Sequence, residues 1–99
     1  VNVPEGVEKI KFSAFEECSG LVEISLPDSI KEIESYAFLM CVNLQKIKLP
    51  KYLEKINNET FRNCENLKNI WFYSTIEDIG AGVFTGCTAV RRYRKEFKK

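Results

Sequence analysis

The sequence predicts a mainly β solenoid of four stacked coils, and three observations lead there. Cysteine stands at 18, 41, 64 and 87, a step of 23 residues each time. Phe15, Phe38, Phe61 and Phe84 keep the same step, as do Ile10, Ile33, Ile56 and Ile79. Pro4, Pro27 and Pro50 keep it too. A period of about 20–29 residues marks a chain in which each repeat is one coil and buries its apolar side only by stacking on its neighbours. The 99 residues supply four coils of 23, more than the minimum of about three that such arrays need.

Each part of a coil follows from its columns. Aligned at this step, the chain shows Val1/Ile24/Ile47/Ile70/Tyr93, Val3/Leu26/Leu49/Phe72, Val7/Ile30/Leu53/Ile76, Ala14/Ala37/Thr60/Val83 and Leu21/Leu44/Leu67/Val90 beside the Ile, Phe and Cys columns. Stacked parallel coils demand such columns, because each inward residue lies over its counterpart about 4.8 Å away. Ile-x-Leu-Pro alternates inward and outward and predicts a short strand ended by Pro27 or Pro50. The Ile30-x-x-Ile33 type segment predicts a second short extended stretch. In Ala-Phe-x-x-Cys the Phe and Cys lie three apart, so one turn of tight helix is expected to aim both at the core. No segment keeps apolar i, i+3, i+4, i+7 spacing beyond one turn, so long helices are not expected.

Read whole from Leu21 to Cys41, Leu-x-x-Ile-x-Leu-Pro-x-x-Ile-x-x-Ile-x-x-x-Ala-Phe-x-x-Cys resembles the leucine-rich repeats of the BspA-like family. The resemblance covers residues 1–93. Tyr73 stands where Pro is expected, Thr60 and Val83 replace Ala, and the Gly that follows the second Ile appears only as Gly80. The family implies a curved leucine-rich-repeat solenoid, commonly part of a secreted or surface-displayed protein of bacteria or some protozoa. Some of its members are adhesins for host matrix or plasma proteins. Lys95 breaks the Leu26/Leu49/Phe72 column, so the solenoid is expected over 1–93 and a basic tail over 94–99.

Charge is nearly balanced, with 15 Lys and Arg against 14 Asp and Glu, so no overall field steers the chain to nucleic acid or anionic lipid. Residues 91–99 are the exception, with six basic residues and one acidic. Three readings stand for this tail: a polar cap on the last coil, a site for acidic partners, or attachment to nucleic acid or membrane, for which no folded basic face is apparent. The longest apolar run, Ala37–Val42, is far short of the roughly 20 residues that cross a bilayer, so no membrane insertion is expected. Residues 1–20 lack a basic start followed by an apolar run, so no signal peptide is read there. The chain starts at Val1 in mid-repeat, and a piece of a longer protein is expected. Val1 and Val3, bare at the open first coil, offer an end for self-association.

Chemistry has little to work with. The sequence has no His and no C-x-x-C, and a column at about 4.8 Å per coil spreads four sulfurs too widely for tetrahedral ligation. No metal or cofactor is therefore expected. Adjacent cysteines lie within disulfide reach, yet parallel Cβ vectors suit stacked free thiols better. Without His the usual general base is missing, and no Gly-rich phosphate loop exists, so the chain is read as non-enzymatic. Lys9, Glu32, Lys55 and Asp78 form an outward column of alternating sign that favours correct register. Glu8, Lys31 and Glu54 alternate likewise before Glu77 breaks the pattern. Asn58-Glu59-Thr60 fits a glycosylation sequon, but its Thr sits in a core column and the match is read as chance.

The outward side of the first strand is the face on which solenoids usually bind. Trp71, the only tryptophan, falls there by alternation, with Lys46, Lys48, Asn69 and Arg94 around it and Tyr73 and Tyr52 nearby. Tryptophan and tyrosine are the residues that most often anchor protein interfaces. The competing reading has Lys48 and Arg94 covering Trp71 through cation–π contact. Leu39, Met40 and Val42 form a second apolar cluster, read either as a contact with another domain or as a local core with Tyr36. The expectation is a protein-binding module of an extracellular or cell-surface protein, with a structural spacer lacking its own ligand as the alternative.

Overall fold

A computed structural model describes residues 1–72, 76 and 78–90, and the backbone alone of 92–95. Among the described residues there are eight strands: β1 (Lys9–Ile10), β2 (Glu23–Ile24), β3 (Glu32–Ile33), β4 (Lys46–Lys48), β5 (Lys55–Ile56), β6 (Asn69–Phe72), β7 (Asp78–Ile79) and β8 (Arg92–Lys95). They form two parallel sheets, ordered β1-β3-β5-β7 and β2-β4-β6-β8. Every pairing joins residues 23 apart, as in Ile33↔Ile56 and Ile47↔Ile70, so each turn of the chain lays one coil on the last. A bridge from Asn2 to Ser25 extends the second sheet toward the N-terminus. No helix among the described residues is long and apolar enough to cross a membrane.

Proline sets strand length. Pro27 and Pro50 follow the short strands β2 and β4, and their carbonyls accept the turn hydrogen bonds from Ile30 and Leu53. The coil with Tyr73 in place of Pro carries the longer β6, since a ladder can run on where each residue keeps its N–H. The β6–β8 pairing reaches Phe72↔Lys95, so the backbone ladder continues two residues beyond Tyr93.

Between the sheets the inward columns fill the core. Ile33, Phe38, Cys41, Leu44, Ile56, Phe61, Cys64, Leu67 and Ile70 are fully buried. The four Phe rings stack, with centroids 5.3, 5.3 and 5.7 Å apart and planes within 8° of parallel. End coils are less covered: Phe15, Cys18, Phe84 and Cys87 are half-buried, and Ile79 is 47% exposed.

The third side of each coil differs from the expected turn of helix. Residues 12–17, 35–40, 58–63 and 81–86 form consecutive tight turns. Ser13, Tyr36, Glu59 and Gly82 have φ between 57° and 67°, and Glu17, Met40, Asn63 and Gly86 between 58° and 78°. Two left-handed residues four apart stop a right-handed helix from propagating. They also turn alternate amides outward: the N–H groups of Tyr36, Phe38 and Met40 donate to the carbonyls of Asn58, Thr60 and Arg62 in the next coil, at 3.3, 2.9 and 2.8 Å. A helical turn would keep those amides within its own coil, and buried amides must find partners somewhere. The cross-coil bonds offset the left-handed strain, roughly 1–2 kcal/mol at each non-glycine position.

This ladder also explains the cysteines. The Phe15, Phe38 and Phe61 carbonyls accept the S–H of Cys41, Cys64 and Cys87, one coil on, at 3.0, 3.0 and 2.9 Å. All four thiols are free. The flanking Cys41 and Cys87 thiols, together with burial, push the Cys64 thiol far above its ordinary range. Thr60 is buried in its Ala column because its hydroxyl donates to the Asn57 carbonyl at 2.8 Å.

Candidate functional site

The outward side of the β2-β4-β6-β8 sheet is an open groove of about 470 Å³. Its polar walls are Glu23, Ser25 and Asp28 from one coil and Lys46 and Lys48 from the next, and Trp71 closes the far side. Ile24, Leu26, Ile47 and Leu49 reach it from below. Strand alternation builds this surface: in β6 Ile70 and Phe72 are buried while Asn69 and Trp71 are half-exposed. Lys46 and Lys48 are exposed about buried Ile47 in β4.

Register fixes which residues are neighbours. Lys46 pairs with Asn69 and Lys48 with Trp71 across β4 and β6. Asn69 pairs with Arg92 and Trp71 with Arg94 across β6 and β8. Lys46, Lys48, Asn69 and Trp71 are thus brought together, with Arg94 joining them at backbone level. Trp71 is half-buried rather than fully outward. Tyr73 lies outside the described residues. Tyr52 is 54% exposed but does not line the groove; its ring lies under the Lys31 and Lys51 ammonium groups, 5.3 and 5.5 Å from its centroid. Lys31 therefore serves an aromatic partner besides its place in the Glu8/Lys31/Glu54 column.

The charges are arranged by coil. Lys46 Nζ lies 3.9 Å from Glu23 Oε2. Asp28 Oδ1 accepts the Lys51 N–H at 3.0 Å. On the opposite sheet Lys9 pairs with Glu32 and Lys55 with Asp78, each at 3.7 Å, as the alternating column predicts, and Lys9 also reaches Glu34 outside that column at 3.4 Å. Glu34 further accepts the Phe12 N–H at 2.8 Å. That bond and Lys9 hold its carboxyl below the usual carboxylate range. Among the described residues, no group of three or more His, Cys, Asp or Glu could hold a metal ion.

Sequence reasoning missed Asp28 as a lining residue and gave Ile24, Leu26, Ile47 and Leu49 to the core columns alone. Asp28 had a signal, since it follows the Pro27 that turns the chain at the groove's rim. It also missed the edge-on contact of Phe12 with Tyr36, at 5.4 Å between centroids. Tyr36 thus packs against Phe12, while Met40 stays 40% exposed.

Known proteins agree with this architecture. The chain matches the BspA type leucine rich repeat region in six copies over residues 1–95, and it belongs to that family. A leucine-rich repeat protein from Bacteroides ovatus is 31% identical with a TM-score of 0.85, over 95% of this chain and 29% of its own. The leucine-rich repeat protein of T. pallidum is 26% identical with a TM-score of 0.74, over 94% of this chain and 56% of its own. A leucine-rich cell surface protein from Faecalibacterium prausnitzii is 25% identical with a TM-score of 0.63, over all of this chain and 32% of its own. The chain therefore spans between about a third and just over half of the solved proteins it resembles. A search of the curated proteins found no match. The family is generally non-catalytic and typical of protein-binding and cell-surface proteins.

Proposed function

We propose that this chain is a non-enzymatic binding module of a cell-surface or secreted, adhesin-like protein, and that it grips a protein partner on the strand face around Trp71. One observation carries the reading: the lone tryptophan stands half-exposed at the side of an open groove, on the face that solenoids use for recognition. A flat, rigid indole loses little entropy on binding and is the residue type most often found at the centre of protein interfaces. The F. prausnitzii relative, described as a cell surface protein, supports a surface location. Matrix and plasma proteins of a host are the partner class to try first.

The test immobilises the chain and passes a panel of purified matrix and plasma proteins over it. A partner should bind, shift Trp71 emission, and lose most of its affinity to Trp71→Ala. Undiminished binding to Trp71→Ala would move the site elsewhere. A panel that never binds would favour the alternative, a spacer that holds another segment away from the surface.

A further inference from the structure

The groove beside Trp71 sorts its occupants by chemistry. Its walls carry two carboxylates, Glu23 and Asp28, two ammonium groups, Lys46 and Lys48, and the Ser25 hydroxyl. These charges balance. An entering anion meets Glu23 and Asp28 and an entering cation meets the lysines, and like charge at close range costs affinity in both cases. An apolar ligand would strip water from the polar walls and leave them without partners. At about 470 Å³ the groove falls within the ~300–1,000 Å³ of small-ligand clefts.

Two further observations narrow the class. Lys46 Nζ and Glu23 Oε2 stand 3.9 Å apart, both exposed, beyond the roughly 2.7–2.9 Å of a closed charged hydrogen bond. A donor and an acceptor thus lie side by side, and two adjacent hydroxyls satisfy both, one accepting from Lys46 and one donating to Glu23. The backbone beneath is already engaged. β2 is bonded to the segment at Asn2 on one side and to β4 on the other, and β4 continues to β6. No open strand edge in the groove therefore awaits the amides and carbonyls of an extended peptide.

We infer that the groove takes a neutral oligosaccharide, with the C–H face of one sugar ring against Trp71 and its hydroxyls on the Glu23–Lys46 pair, Asp28 and Ser25. The inference rests on the reading of the strand face as the binding site, and it names the part of the partner held there: a glycan that the protein carries. The negative face of an indole attracts polarised C–H groups, and the contact removes both from water.

The probes are neutral trisaccharides of glucose, mannose and N-acetylglucosamine, a sialylated trisaccharide, and a neutral peptide of serine and asparagine around one tyrosine. Calorimetry reads each of them, as does the emission of Trp71, the chain's only tryptophan. At least one neutral trisaccharide should bind and shift the emission, with an affinity that barely changes with salt. Trp71→Ala should abolish binding by calorimetry. Glu23→Ala and Lys46→Ala should each weaken it by about fivefold or more and leave the fold intact, since both side chains are exposed. Silence of every neutral trisaccharide would overturn the inference, as would tighter binding of the sialylated sugar or the peptide, or full affinity in the Glu23→Ala and Lys46→Ala variants. A protein partner that needs Trp71 yet binds unchanged after enzymatic removal of its glycans would also end it, and would leave the binding face standing.

Discussion

Phe38 and Phe61 lie one coil apart with ring centroids 5.3 Å apart and planes 8° from parallel, both fully buried. Each closes the cavity that the other would leave, so the stack is only as strong as its neighbours. Phe38→Ala should cost roughly 3–5 kcal/mol by chemical denaturation. Phe15→Ala should cost clearly less, since Phe15 has one stacking partner and is half-buried. Equal losses at the two positions would contradict nearest-neighbour stacking.

The thiol column should be read out by alkylation kinetics. Cys41 and Cys64 are fully buried, whereas Cys18 and Cys87 are half-buried. Cys18 and Cys87 should label in the native protein, and the other two only after unfolding, which should expose four free thiols. With its thiol pushed up by its neighbours, Cys64 should stay inert even in mildly alkaline buffer. A native protein that labels evenly, or an unfolded one with fewer than four thiols, would refute this.

Two glycines separate conformational need from mere presence. Gly86 has φ of 78°, and a Cβ there would collide with the Asn63 side chain. At Gly20 a Cβ would meet nothing within 4 Å. Gly86→Ala should therefore lower stability by about 1–2 kcal/mol or more, and Gly20→Ala should be close to neutral. Matched melting temperatures for the two variants would argue against the left-handed turn.

Acid should loosen the first coil before the rest. Glu34 accepts the Phe12 amide and pairs with Lys9, so its folded pKa lies below its ordinary value of 4.5. A depressed carboxyl contributes stability that is present above the unfolded pKa and lost as pH falls through the folded one. The protection of the Phe12 amide against exchange, relative to an unstructured chain at the same pH, should fall below about pH 4.5, and Glu34→Gln should remove most of that pH dependence. An unchanged profile in the variant would sink the assignment.

The coil count, both extended stretches and the core columns were legible because stacking forces like residues into one period: Ile33 over Ile56 and Phe38 over Phe61 are that rule in the structure. The turns were not. Ala-Phe-x-x-Cys has helix-like spacing, and the left-handed positions are filled by Ser13, Tyr36 and Glu59 before glycine appears at 82. Gly82 and Gly86, four apart in the last coil, were the available signal. Lys46, Lys48, Asn69 and Trp71 were legible as one surface because alternation fixes which side of a strand faces out. Tyr52 was not so easily placed. It follows a proline turn, where alternation no longer applies, and it pairs with lysines outside the groove.

The turn flank has a polarity. Among the described residues its nine cross-coil bonds, from Ser13→Ser35 to Asn63→Thr85, all run from an amide on an earlier coil to a carbonyl on a later one. Peptide dipoles thus add along the solenoid axis, positive toward later coils and negative toward earlier ones. On this flank two like ends would meet oxygen to oxygen or hydrogen to hydrogen, whereas unlike ends match. Repeats grafted onto this scaffold must therefore follow one vector, and a mirror-like pairing of identical ends gains nothing from it.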